Sequence, residues 1–321
     1  MDIIRTDTHF DFMVRRKAAA LFSAVLIIAS IGTLAVKGLN WGLDFTGGTL
    51  VEVSYPEPPD LGEVRAALDG AGFENFTVQT FGTAREIVLR LPVEVAAEEG
   101  ADVSTRALDA LSEVDPEVEL RRVEFVGPQV GDELAEQGGL AMLYALIGIL
   151  LYVSFRFQWR FAVGAVAALV HDVIVVMGLL SLLQISFDLT VVAALLAVIG
   201  YSLNDTIVVY DRLRENFRVK RKGSAVELTN LSINQMLSRT LMTSLTTLLV
   251  LIALFYFGGE IIHAFAFALI AGVIVGTYSS IFVASTAAIV LGVSKQDLMP
   301  VVKEGADQPD TEVLPERFRN S

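Results

Sequence analysis

Four ionisable side chains fall inside stretches that are otherwise apolar: His171 and Asp172 midway along one, Asp205 in the next, and Arg239 at the entrance to a later one. An ionisable group in hydrocarbon costs roughly 3 kcal/mol even on insertion scales, so each needs a partner or a task. Counting back from Tyr210, Asp205 lies five residues into its stretch, about 7.5 Å at 1.5 Å per helical residue. Arg239 stands one residue before its own stretch, at the same face of the membrane, and so is expected within reach of Asp205. Apolar surroundings favour a neutral carboxyl and a nearby guanidinium favours the anion. A site that loads and releases a proton needs that opposition.

Each of these residues also has a plainer use. Arg239 can snorkel and mark the inner boundary. Asp205 can tie helices together with Asn204 or Thr206, and His171–Asp172 can be a hydrogen-bonded brace. Thr243, with Ser244, Thr246 and Thr247, gives one helix a polar side suited to packing, and Tyr201 adds another polar group nearby. Gly272-Val-Ile-Val-Gly276 has the spacing that lets two helices approach closely. With no cysteine and three histidines in 321 residues, disulfides, thiol nucleophiles and Cys-ligated metals are excluded, and no metal or organic cofactor is expected. Phosphate loop, nucleotide fingerprint, nucleophile elbow and HExxH pattern are missing, which points away from an enzyme.

The elements that must position these groups follow from composition. Apolar residues make up 53% of the chain and charged ones 19%, the balance of a membrane protein. Six stretches reach the roughly 20 residues that span a bilayer: 18–36, 138–155, 161–183, 189–210, 240–259 and 261–291. The first, although it follows Arg15-Arg16-Lys17, is too long for a signal-peptide core and ends in Ala35-Val36-Lys37, so a retained helix is expected. If residues 1–17 are inside, inner segments carry 17 basic residues and outer ones 7, placing both termini, including the tail 292–321, on the inner side.

The outer connection, residues 37–137, holds 21 acidic against 7 basic residues, a net of −14 within a chain of net −13. That balance disfavours a nucleic-acid partner. Its alternating and helical segments follow the order βαββαβ, predicting a ferredoxin-like α+β domain between the first two spans, with an acidic loop over 94–102. Gly47-Gly48 reads as a turn before its first strand. The inner connection, 211–239, is basic, and its Ser224-Ala-Val-Glu227 capping box predicts a helix lying along the interface.

Seven motifs in order resemble the SecF family of bacterial protein-export translocase subunits, relatives of the RND exporters. They are Gly42-Leu-Asp-Phe-Thr-Gly-Gly48, Val126-Gly-Pro-Gln-Val-Gly-Asp-Glu-Leu134, His171-Asp172, Gly200-Tyr-Ser-Leu-Asn-Asp-Thr206, Asp211-Arg-Leu-Arg-Glu-Asn216, Ser238-Arg-Thr-Leu-Met-Thr-Ser-Leu-Thr-Thr247 and Gly276-Thr-Tyr-Ser-Ser-Ile-Phe282. The resemblance implies six transmembrane helices with a periplasmic domain, in the bacterial inner membrane. It implies partnership with a separate SecD chain, the SecYEG channel and a small accessory subunit such as YajC, acting on unfolded preproteins. It also implies that the proton motive force drives the work, with the family's intramembrane aspartate and arginine mapping onto Asp205 and Arg239. One aspartate and one arginine do not separate protons from sodium. Two other classes use the same residues. An RND-like small-molecule exporter would need a second half. An intramembrane aspartyl protease would use Asp172 and Asp205 but lacks its Gly-x-Gly-Asp motif.

Overall fold

The computed structural model describes residues 8–92, 100–220, 223–259 and 262–293. A 3-10 turn, Met13–Arg15, leads into α1 (Arg16–Lys37). A short outer link holds β1 (Asn40–Trp41) and α2 (Leu43–Thr46). The α+β domain follows as β2 (Gly48–Ser54), α3 (Leu61–Gly70), β3 (Thr77–Phe81), β4 (Thr83–Leu91), α4 (Gly100–Ser112) and β5 (Glu119–Val126). Then come α5 (Pro128–Arg156), α6 (Trp159–Leu183), the two-residue β6 (Ser186–Phe187), α7 (Leu189–Val219) and α8 (Ala225–Phe257). The last span is built from α9 (His263–Ser279), a π-helical segment Ser280–Ala284, and α10 (Ser285–Val290).

The domain sheet runs β3-β4-β2-β5 with every neighbouring pair antiparallel, the ferredoxin-like split arrangement its element order predicts. Alternation along β2 turns Val51 and Val53 inward against Leu89 and Ile87 of β4. Val64 and Leu68 of α3 and Leu111 of α4 close over them. Asp60 caps α3 by accepting from Gly62 N at 2.7 Å. Most of the expected acidic loop lies outside the described residues, and from Gly100 onward the chain is already helical.

Six helices are long and apolar enough to cross a membrane: Met13–Lys37, Gln129–Arg156, Trp159–Leu183, Leu189–Val219, Ala225–Phe257 and His263–Val290. They form two layers. In α6, α7 and the last span about half of the apolar stretch is buried by protein, against under a fifth in α1, α5 and α8. The inner helices α6 and α7 carry the buried ionisable groups His171, Asp172 and Asp205, and the outer three expose more of their apolar side chains.

Three expected boundaries shift. Helix α5 starts ten residues before 138, at Pro128, whose fixed φ suits a first helical position. Helix α7 continues to Val219, nine residues past 210. The separate interfacial helix expected in 211–239 does not exist: its capping box, formed between Ser224 and Glu227, opens a single 33-residue α8. No glycine or proline interrupts α8 before Gly258, so nothing breaks the helix at the membrane edge. At 1.5 Å per residue α8 is about 50 Å long, beyond the roughly 30 Å hydrocarbon core, so one end must project. That end is fastened to α7, where Asn216 Nδ2 donates to Ser232 Oγ and to Gln235 Oε1, both at 2.8 Å.

Candidate functional site

Asp172 is the centre of a buried polar knot joining the three inner helices. His171 Nδ1 lies 2.9 Å from Asp172 Oδ1, and with Asp172 ionised the Nδ1–H tautomer is the one that donates to it. Ser202 Oγ of α7 and Ser279 Oγ of α9 donate to Asp172 Oδ2 at 2.6 and 2.7 Å. All four residues are at most 2% exposed. The far nitrogen, His171 Nε2, is buried without a hydrogen-bond partner. The knot depends on close helix approach. A Cβ at Gly276 would sit 3.0 Å from Ser202 Cβ, and one at Gly272 only 2.1 Å from Val198 Cγ2. Those two glycines therefore let α9 lie directly on α7.

Asp205 stands about one turn beyond Ser202 on α7 and is 3% exposed. Its Oδ2 is buried without a hydrogen-bond partner, as is Thr206 Oγ1 beside it. Arg239 of α8 is exposed and is the charge that acts on Asp205 electrostatically, but among the described residues no ion pair within contact distance joins them. Sequence depth thus puts the two groups in one neighbourhood, and the fold leaves them unclosed.

The supporting residues divide. Tyr201 OH donates to Ser244 Oγ at 3.2 Å, and Ser244 hydrogen-bonds Thr277 at 2.7 Å, tying α7, α8 and α9. Thr243 Oγ1 donates to Arg239 O at 2.9 Å, so it satisfies its own helix. Asn204 takes neither role: it faces outward, exposed on α7.

Sequence reasoning missed Ser202 and Ser279, because a serine in an apolar helix carries no signal of which partner it meets. It also missed a junction at the domain end of the bundle. There β1 pairs with β6 in parallel, and Trp41, Phe45 and Phe187 pack with ring centroids 5.5 to 5.8 Å apart. Arg90 of β4 donates to Ser186 Oγ at 2.9 Å and to Asn40 Oδ1 at 3.3 Å. Burial lowers the Arg90 pKa from its ordinary value, and the Asp188 carboxylate opposes that fall. Among the described residues, no three His, Asp or Glu side chains converge as a metal site would require.

Comparison with known proteins places this geometry in a family. The family described as "Protein export membrane protein SecD/SecF, C-terminal" matches residues 106–294, and "SecD/SecF GG Motif" matches residues 32–55. The chain is 56% identical over 308 residues to the protein translocase subunit SecF of Vibrio alginolyticus, covering 95% of this chain and 98% of that one. Against the SecF subunit of Pseudomonas aeruginosa it is 54% identical, over 90% of this chain and 94% of the relative. In three dimensions it superposes on SecDF from Thermus thermophilus with a TM-score of 0.81 at 38% identity. That match covers 90% of this chain but 39% of the SecDF chain, so this chain corresponds to about two fifths of that chain's length.

Proposed function

The chain belongs to the SecD/SecF family of protein-export membrane proteins, as a SecF-type translocase subunit, and from that premise we propose how it works. It pairs with SecD in the bacterial inner membrane and uses the proton motive force to finish the export of unfolded preproteins. The preprotein comes through SecYEG, and a small subunit such as YajC accompanies the complex. Both termini face the cytoplasm and the α+β domain faces the periplasm, in line with the basic residues of the connections. The protein moves a polypeptide and makes or breaks no covalent bond of it.

One observation carries the energy-coupling part: Asp205 is buried between helices with a carboxylate oxygen that no donor engages. A buried unsatisfied polar atom demands an explanation. A proton arriving at Oδ2 supplies one. Protonation removes the negative charge that Arg239 of α8 attracts at longer range, that attraction across α7 and α8 is lost, and the bundle repacks. One charge crossing 100 mV releases about 2.3 kcal/mol, enough to bias such a repacking when repeated.

Asp172 and His171 are the second ionisable station. With three donors on its carboxylate, Asp172 braces α6, α7 and α9 while Asp205 changes state. The same engagement argues against an aspartyl protease, which needs a second carboxylate free to activate water. The outward amide of Asn204 fits burial against SecD, since an amide facing hydrocarbon would be costly.

Export measured in inverted membrane vesicles tests the proposal. Asp205→Asn should insert and assemble with SecD, keep ATP-driven export, and lose the share that an imposed proton gradient adds. Unimpaired gradient-dependent export in that variant overturns the proposal, and stimulation by a sodium gradient alone overturns the choice of ion.

A further inference from the structure

The link between α1 and the α+β domain is short, yet it touches the start of the helix that carries Asp205. Asp44 Oδ2 accepts from Leu189 N, the first N–H of α7, at 2.9 Å. Asp188 Oδ1 accepts from Val191 N at 3.0 Å. Two of the four N–H groups left open at that helix start are thereby met by carboxylates, one of them supplied from 145 residues away. Beside this contact Gly42 N donates to Phe187 O at 2.8 Å. A Cβ at Gly42 would lie 2.9 Å from Asp188 Cβ and 3.0 Å from Phe187 O, so the link lies flush on the α6–α7 turn.

Only three residues separate Asp44 from Gly48, which opens β2, one of the two central strands of the domain sheet. Gly47 and Gly48 take φ of 64° and 115°, and a Cβ at Gly48 would stand 2.3 Å from Leu91 O. The turn is therefore tight and restricted to glycine, with no slack between cap and sheet. Arg90 fastens the same sheet a second time, reaching Asn40 and Ser186 on both strands of the small ladder.

We propose that residues 40–48 form a clasp that seats the α+β domain on the start of α7, with Asp44 and Arg90 as positioning residues, so that a displacement of α7 is passed to the domain. The source of that displacement, a proton at Asp205, rests on the function proposed above. The seating does not.

The test uses the full chain assembled with cysteine-free SecD in lipid nanodiscs. Because this chain has no cysteine, Ala84→Cys on the domain and Phe257→Cys at the end of α8 can carry a pair of spin labels. Both positions are exposed. The parent should give one narrow distance distribution. Asp44→Ala and Arg90→Ala should each lose that narrow peak, while hydrogen-exchange protection across β2 and β4 stays at the parent level. Asp44→Asn, which keeps an oxygen acceptor for Leu189 N, should retain the peak. An unchanged peak in both alanine variants overturns the clasp. So does broadening accompanied by lost protection, which would make these folding residues and not positioning ones. Asp205→Asn separates the two readings: normal export in that variant would sink the proton mechanism, and the distance distributions would still decide the clasp.

Discussion

Asp172 and Asp205 are the same side chain on neighbouring helices, and their surroundings differ. Three donors engage the first, whereas the second keeps an oxygen bare inside the protein. Removing a donor from Asp172 leaves a buried carboxylate short of a bond, which costs about 1–3 kcal/mol. Ser279→Ala should therefore lower the resistance of the detergent-solubilised protein to denaturation by that amount, read from its unfolding midpoint; an unchanged midpoint would count against the knot. The ionisable residues of the site were legible in the sequence because charge in an apolar stretch is expensive. Ser202 and Ser279 were not. Serine and threonine can satisfy themselves on their own helix, as Thr243, Thr246 and Thr247 do here, so only the fold separates glue from function.

Helix α9 lies on α7 most tightly at position 272, where a side chain would have to displace Val198; at 276 an added Cβ would only press on Ser202. Gly272→Ala would drive a methyl into Val198, and overpacking of this kind typically costs about 1–3 kcal/mol. Thermal unfolding should show the loss, and Val198→Ala in the same chain should restore most of it. In the domain, burial, reinforced by the nearby Asp115 carboxylate, pushes the Tyr55 phenol up to about 12. Its folded value exceeds the unfolded value near 10. The neutral phenol thus adds stability below pH 10 that is lost as pH climbs toward 12. Hydrogen-exchange protection of β2 should fall over that window in the parent and fall less in Tyr55→Phe. At this scale the domain was legible, since alternation and helical spacing gave the βαββαβ order. Helix ends were not, because a helix runs on past the membrane edge wherever no proline or glycine stops it, as α7 and α8 do.

Across the whole molecule, α6 and α7 hold the buried ionisable groups His171, Asp172 and Asp205 and Arg239 stands exposed on α8, with the α+β domain fastened at one end of α7 and Asp205 part-way along it. Six stretches, one acidic domain and the partition of basic residues were all readable from composition, because a bilayer imposes length and charge rules that hold along the chain. The junction at Asp44, Arg90 and β6 was hidden, since it joins segments roughly 100 to 145 residues apart.

The central claim is that Asp205 exchanges a proton with the gradient. Proton uptake into vesicles holding the chain with SecD, followed with an entrapped pH dye under an imposed gradient, tests it most directly. Asp205→Asn should bring uptake down to that of empty vesicles, while Asp205→Glu, which keeps a titratable carboxyl, should retain it. Uptake by the asparagine variant at the parent rate would contradict the account.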